Sequence, residues 1–372
     1  MAHTITPPDT VRVARADLTA FCTRLFVSLG LSPADAAVAA DVLVAADARG
    51  IPSHGLARLP SYVNGITTGA TVPDARPEVI AETPATLAVD AHGGMGAPAS
   101  AEAMRRIIAK ARTAGAAIAC VRDSNHFGIA GYYAMLALEH DMIGLAMTNT
   151  AALGVPTFGR QVMFGTNPIA FAAPAGRERA FVLDMSTTVV TKGKLEVYER
   201  LGQPLPDGWA VDRSGRSATD PHRILDEMFR RAGGGMLPLG GEGELHGGYK
   251  GYGLAVMVDI LCGVLGAAAF GPGLADNPTC FGRVSHFFAA FDVAAFRDVA
   301  GFKADMDRML SDLRASPLAE GAERIYVAGE KEFEREAKYA RDGVPLLRQT
   351  YDQAIEIGRL HGVAGLPRAA AG

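Results

Sequence analysis

Cysteine is scarce in this 372-residue chain. Cys22, Cys120, Cys262 and Cys280 lie far apart and form no CxxC pair, which argues against a disulfide framework and a cysteine zinc site. Basic runs are missing as well, and Lys plus Arg (36) fall short of Asp plus Glu (40), for a net charge of −4. Nucleic acid and anionic membrane are therefore poor partners. No GxxxxGK[ST], GxSxG or HExxH occurs, so a phosphate-cradling P-loop, a nucleophile-elbow hydrolase and a histidine metal site are not indicated. The opening "MAHTITPPDT" has no basic stretch before an apolar core, and the expected location is the cytoplasm. The longest apolar run, "GYGLAVMVDILCGVLGAAAFG", approaches the roughly 20 residues of a membrane span. Asp259 at its middle makes a buried helix the better expectation.

What is present is a globular composition, 49% apolar and 20% charged. The first eighty residues read as helical. "ARADLTAFCTRLFVSLG" has helical spacing and stops at Gly30, and "SPADAAVAADVLVAADARG" restarts with Ser32 as N-cap, Pro33 at the first helical position and Asp35 behind the cap. Ser53 is placed to cap a third helix. From about Thr83 short apolar runs alternate with helices: "ATLAVDA", "AAIACVRD", "IGLAMTNT", "IAFAAP" and "RAFVLDM" read as buried strands, implying an α/β core with a partly parallel sheet. "SHFFAAFD" adds a strand. From Val299 the tail reads as helical and charged, with one strand at "RIYVAG". The expected organisation is a helical region over 1–80, an α/β core over 81–298 and a mainly helical region over 299–372 that packs back on the first.

Several short motifs carry chemistry. "GIPSHGLARLPSY" spaces His54, Arg58 and Tyr62 four apart; on a helix they would share a face suited to binding and protonating an anion, although a solvated stripe has the same spacing. "GMGAPA" follows a strand and opens a helix, as a dinucleotide fingerprint does, but its distal acid, Asp123, lies beyond the usual spacing of about 20 residues. His126 in "RDSNHFGIAGYY" falls at a strand's end, where α/β sheets bind ligands. "FVLDMSTTVVTKGK" and "GGYKGYGLAVMVDIL" bring Asp/Ser and Gly/Lys clusters to helix starts, which stabilise anions.

In their order along the chain, "RGIPSHGLARLPSY", "SNHFGIAGYYA", "FGTNPIAFAAP", "LDMSTTVVTKGK", "LPLGG", "GYKGYGLAVMVDILCGVLGAAAFG" and "YVAGEKEFE" resemble the type 2 malate/L-lactate dehydrogenase family, from about Val13 to Gly362. The resemblance implies a non-Rossmann NAD(P)-binding mixed-sheet fold in which "GMGAPA" is a turn. It also implies a homodimer with the active site near the subunit interface, and an oxidoreductase that interconverts 2-hydroxy and 2-oxo acids. Relatives that reduce cyclic 2-imino acids supply the alternative. By the same resemblance His126 is the acid/base, with His54 second. Arg58 clamps the substrate carboxylate, with Ser53, Tyr62 and Thr166 also at the substrate. Asp184, Met185, Ser186, Tyr249, Lys250, Gly329 and Glu330 hold NAD or NADP. A histidine pKa near 6.5 suits the proton that must accompany hydride transfer.

The chain departs from relatives in places. Thr150 stands where ureidoglycolate enzymes carry Lys, which disfavours that substrate. Lys194 stands where imine reductases carry Asp, and a lysine there would repel a cationic iminium. Tyr249 replaces a usual His and Ala328 a usual Pro, both at implied cofactor contacts. "GEGELHGG" reads as a lid or a long turn.

Overall fold

The computed structural model describes residues 9–274, 282–363 and 365–367. Cys280 and most of the opening segment lie outside the described residues. Strand β1 (Thr10–Val13) leads into α1 (Arg15–Ser28) and α2 (Pro33–Ala48). The capping signature acts as the sequence suggests. The Ser32 side chain accepts from the Asp35 N–H at 3.2 Å, and its hydroxyl donates to the Asp35 carboxylate at 2.6 Å. Next come α3 (Leu59–Thr67), β2 (Glu78–Glu82), β3 (Thr86–Asp90), α4 (Gly96–Ala114), β4 (Ala116–Ser124) and α5 (Ala130–Leu136). They are followed by β5 (Met142–Thr148), β6 (Ile169–Ala173), β7 (Phe181–Met185), α6 (Lys192–Arg200), β8 (Ala210–Val211), α7 (Pro221–Phe229) and β9 (Gly235–Met236). The chain continues through α8 (Gly248–Asp259), β10 (Val284–Asp292), α9 (Val299–Ala315), α10 (Glu330–Asp342), β11 (Val344–Leu347) and α11 (Arg348–Leu360).

The main sheet has seven strands in the order β2-β3-β4-β10-β5-β6-β7. Only β3 and β4 pair in parallel, while β10 runs antiparallel between β4 and β5. This is a mixed α/β sheet without the doubly wound Rossmann order. Because β4 and β5 both oppose β10, they end on the same side of the sheet, where β10 begins. The loops after Ser124 and Thr148 therefore meet there.

One large core joins α1, α2, α4 and α5 to the sheet and takes in Val344, Leu346, Tyr351 and Ala354 from the C-terminal segment. The two chain ends are stitched together by antiparallel pairing of β1 with β11. A separate small core, including Val155, Leu195, Ile224, Met228 and Met236, holds together the excursion between β5 and α8.

Three sequence expectations are corrected. "RIYVAG" is irregular: the Ala328 carbonyl accepts one bond from the Val182 N–H, but no ladder forms, and the tail's strand is β11. His54, Arg58 and Tyr62 do not share one helix, because two 3-10 turns (Pro52–His54 and Leu56–Arg58) precede α3 and Ser53 caps nothing. The apolar run is not one buried helix. α8 gives way at Ile260–Val264 to a π-helical turn, and Ile260, Val264 and Leu265 are at least half exposed. Among the described residues no helix is long and apolar enough to cross a membrane.

Candidate active site

Where β4 and β5 end, a cavity of about 130 Å³ opens. His54 and Arg58 line it from the N-terminal turns, and His126 and Gly128 from the loop after β4. Asn149 and Thr150 come from the loop after β5, Thr166 from the strand side and Lys192 from the start of α6.

Buried contacts fix the His126 loop. Asn125, 1% exposed, donates its amide to the Gly93 and Gly94 carbonyls at 2.8 and 3.0 Å. A Cβ on Gly96 would lie 2.0 Å from the Asn125 carbonyl oxygen, so only glycine lets α4 start against this loop. "GMGAPA" thus opens a helix and supports His126. Behind the loop Phe127 stacks on His286 with ring centres 4.4 Å apart, and His286 is held between Thr148 Oγ1 (2.8 Å) and Ser124 Oγ (2.9 Å). Nothing in the sequence marked His286 beyond a polar residue in an apolar strand.

Tyr62 Oη lies 2.6 Å from His126 Nδ1, and the Gly128 N–H points at the same nitrogen from 3.3 Å. Two donors aimed at Nδ1 favour a neutral ring with its proton on Nε2, a tautomer assigned from this network. The Tyr62 hydroxyl can rotate to accept when Nδ1 is protonated, so it serves both charge states. His54 stacks on His126 with centres 5.7 Å apart, and its Nδ1 lies 2.9 Å from Ser53 Oγ. Burial first, then Arg58, lowers the His54 pKa to about 4. Burial, followed by His54, Arg58, His286 and Lys192, lowers that of His126 well below the ordinary value.

Arg58 is steadied by donating Nε to the Ser53 carbonyl at 2.6 Å, which leaves its terminal nitrogens for an anion. The turns carrying His54 and Arg58 hang on Asp47, 4% exposed, whose carboxylate accepts the Leu56 N–H at 2.7 Å. Burial raises Asp47 to about 7. A Cβ on Gly55 would fall 2.1 Å from that carboxylate.

On the other side of the His126 loop a groove is lined by Arg49, Ile129, Gly131, Asp184, Gly329 and Glu332, among others. Asp184 accepts the Gly131 N–H at 2.7 Å. Surrounding protein raises its carboxyl above the usual range and the Gly131 bond opposes this, while the side chain keeps solvent access. The lining offers the Asp184 and Glu332 carboxylates, which suit sugar hydroxyls, and the Arg49 guanidinium, which suits a phosphate.

Other anticipated residues stand elsewhere. Met185 ends β7 and Ser186 follows it, with Ser186 Oγ donating to the Thr188 carbonyl at 3.0 Å. Tyr249 and Lys250 are exposed at the start of α8 and line neither cavity nor groove. Leu239, against which Gly251 packs, donates its N–H to the Thr187 carbonyl and ties the start of α8 to the segment after β7. Glu330 turns away from the groove into ion pairs with Arg314 (2.8 Å) and Arg324 (3.3 Å). Lys194 is exposed and absent from the cavity wall; Lys192, which sequence reasoning passed over, takes that place. At about 100° per helical residue, two positions turn a side chain to the far face. "GEGELHGG" forms exposed turns. Among the described residues no group of three or more His, Cys, Asp or Glu is arranged to hold a metal.

The whole chain is similar to known proteins of one family. Residues 13–354 match the family model described as malate/L-lactate dehydrogenase. A malate dehydrogenase of Pyrococcus abyssi is 42% identical over 96% of this chain and 96% of its own length. An L-sulfolactate dehydrogenase of Methanocaldococcus jannaschii is 36% identical over 88% and 91%. The structure of malate dehydrogenase from Entamoeba histolytica superposes with a TM-score of 0.91 at 32% identity, covering 95% of this chain and 99% of that one.

Proposed function

The chain belongs to the malate/L-lactate dehydrogenase family, and from that premise we propose that it interconverts a 2-hydroxy acid and a 2-oxo acid with NAD or NADP. The observation that carries the reading is the convergence of Arg58, His54 and Tyr62-anchored His126 on one small cavity beside a groove of dinucleotide character.

When bound, the nicotinamide supplies or accepts the hydride at C2. The protein's own residues do the rest. Arg58 grips the C1 carboxylate through its planar fork. His126 Nε2, the nitrogen not engaged by Tyr62, gives a proton to the C2 oxygen during reduction and takes it back during oxidation. His54 borders that oxygen, with Ser53, which does not itself line the cavity, bonded to its ring, and Thr166 and Thr150 offer hydroxyls from the cavity wall. Asp184, Met185, Ser186 and Gly329 hold the cofactor, with Tyr249, Lys250 and Glu330 as outlying contacts.

The working unit is a homodimer with the site near the subunit interface. The exposed Ile260, Val264, Leu265 and Phe270 support this, since such a set on one segment calls for a cover.

The test is the initial rate of NADH and NADPH oxidation with oxaloacetate, pyruvate, sulfopyruvate and Δ1-piperideine-2-carboxylate. Turnover of oxo acids is the expected result, and turnover of the imine alone would overturn it in favour of cyclic-imine reduction. The ratio between the two cofactors fixes the nucleotide. Light scattering on the purified protein should return twice the chain mass.

A further inference from the structure

The two strand ends that carry the cavity are joined by a side chain that does not line it. β4 and β5 are not neighbours; β10 lies between them, and His286 stands on β10 directly opposite Thr148, the last residue of β5. On its other side β4 bulges. Three steps from Val121 to Ser124 oppose two from His286 to Val284, and Asp123 takes a left-handed conformation (φ 47°) within the bulge, paired with Arg283 at 2.7 Å. A bulge re-aims the chain that follows, here the loop bearing His126. It also brings Ser124, the last residue of β4, to His286: Ser124 Oγ lies 2.9 Å from Nε2, while Thr148 Oγ1 lies 2.8 Å from Nδ1. We infer that His286 is a positioning residue for the reaction, clasping the ends of β4 and β5 and so fixing His126 relative to Asn149 and Thr150. This rests on the oxidoreductase reading above and adds to it a residue outside the cavity wall.

The direction of each bond in the clasp follows from its surroundings. Thr148 Oγ1 has two backbone carbonyls within reach, Asn149 at 3.0 Å and Ser285 at 3.1 Å, so its proton goes to one of them and its oxygen accepts from His286 Nδ1–H. Nε2 is then the bare nitrogen and accepts from the Ser124 hydroxyl. Both ring nitrogens are used within the sheet. Burial lowers the His286 pKa to about 3, so the ring stays neutral and the clasp keeps its polarity at ordinary pH. Phe127, next to His126 in the chain, lies flat on this ring with the two planes 3° apart. Phe127 and Thr148 both face the cavity, and both lean on His286. A phenylalanine in place of His286 would keep the stack and lose both bonds, which separates filling of space from the clasp.

The experiment measures kcat, KM and reduced-cofactor affinity in the wild type, His286→Phe, His286→Gln, Ser124→Ala and the double variant of Ser124→Ala with His286→Phe. The substrate is whichever of oxaloacetate and pyruvate turns over faster, and rates are expressed per cofactor-binding site counted by fluorescence titration. His286→Phe should lower kcat about ten- to hundredfold, as displacement of a reacting group by about 1 Å does, while KM and cofactor affinity stay within about threefold. Ser124→Ala should lower kcat by itself and cost nothing further in the double variant, where its bond is already gone. His286→Gln, whose amide can accept from Ser124, should recover part of the loss. A residue that only supports the fold would reduce the number of binding sites and leave kcat per site unchanged. That result, additive losses, or cofactor affinity falling along with kcat would overturn the assignment. Should His286→Phe fail to fold, Ser124→Ala and His286→Gln give the same separation. A wild type that reduces neither oxo acid refutes the oxidoreductase reading instead, and the ring-nitrogen NMR shifts of His126 then decide: they should differ between wild type and Ser124→Ala, and identical shifts would overturn the role of His286.

Discussion

Burial lowers the His126 pKa, which favours a neutral ring in the resting site, and if His126 is the proposed acid/base its protonation state should leave a signature in the pH dependence of catalysis. The cationic surroundings of Arg58 and Lys192 lower that pKa further. Reduction of an oxo acid needs the imidazolium, so the resting enzyme carries the reactive form only in its acidic range. The substrate changes this. A carboxylate about 6 Å from the ring, at an effective dielectric of about 20, favours the imidazolium by about 3 kcal/mol, or about two pKa units. The pH dependence of kcat/KM reports the free enzyme and that of kcat the substrate complex. For reduction, then, kcat/KM should begin to fall, tenfold per pH unit, about two units below the pH at which kcat begins to fall. Oxidation needs the neutral ring, so its kcat/KM should be flat above pH 6.5 and fall only in acid. Binding of oxaloacetate should take up a proton, visible with a pH indicator in weak buffer. The assay is a steady-state profile from pH 5 to 9 in both directions. Coincident breaks in kcat and kcat/KM, or a reductive kcat/KM that is flat to pH 8, would refute an acid held neutral by its site.

Three further outcomes follow from specific contacts. Arg58→Ala should cut kcat/KM for every oxo acid by at least about a hundredfold with NADH affinity unchanged, and Arg58→Lys should recover little because the bidentate fork is lost; near-normal rates in either would remove Arg58 from the carboxylate site. Gly131→Ala would bring a Cβ to 2.9 Å from Asp184 and disturb the 2.7 Å bond between them, so NADH affinity measured by fluorescence titration should weaken severalfold. Asp47 titrates near 7 in the folded protein against 3.8 ordinarily, so the folded state retains a proton that the unfolded chain has released. Its contribution to stability is therefore lost as pH rises from about 4 to 7. Asp47→Asn keeps an oxygen for the Leu56 N–H, and its melting temperature relative to wild type should rise between pH 5 and pH 8; a difference independent of pH would show that Asp47 is not buried as a neutral acid.

The elements that sequence reasoning placed well are those specified locally. Ser32, Pro33 and Asp35 start α2 through contacts within one turn, and the apolar runs of the core strands are bounded by their own turn residues. The misplaced strand shows the opposite case. "RIYVAG" has β-branched and aromatic residues and touches edge strand β7 through one bond, from the Val182 N–H to the Ala328 carbonyl, yet forms no ladder there, whereas Val344–Leu347 becomes a strand by pairing along its length with Thr10–Val13 from the other end of the chain. A strand is a property of a pair, and nothing local reports the partner.

The site divides in the same way. Residue types were legible: His54, Arg58, His126 and Thr166 do line one cavity. The way they converge was not, because a spacing of four suggests one α-helix, and the chain reaches the cavity by a different route. Asp47 takes the Leu56 N–H, Gly55 passes where no side chain fits, and Pro52 begins a 3-10 turn, so His54 and Arg58 sit on separate turns and only Tyr62 lies on α3. The glycines of "GMGAPA" show why a motif without its surroundings misleads. Gly96 permits a close backbone approach, as a fingerprint glycine does, but what approaches is the Asn125 carbonyl rather than a pyrophosphate. Lys192 and Lys194 differ by two positions and by which face of α6 they occupy, and that face is set by Leu195 packing into the small core of the excursion. Which of the two lysines reaches the cavity is therefore fixed by a hydrophobic contact within the same helical turn, on a residue that is absent from the cavity wall.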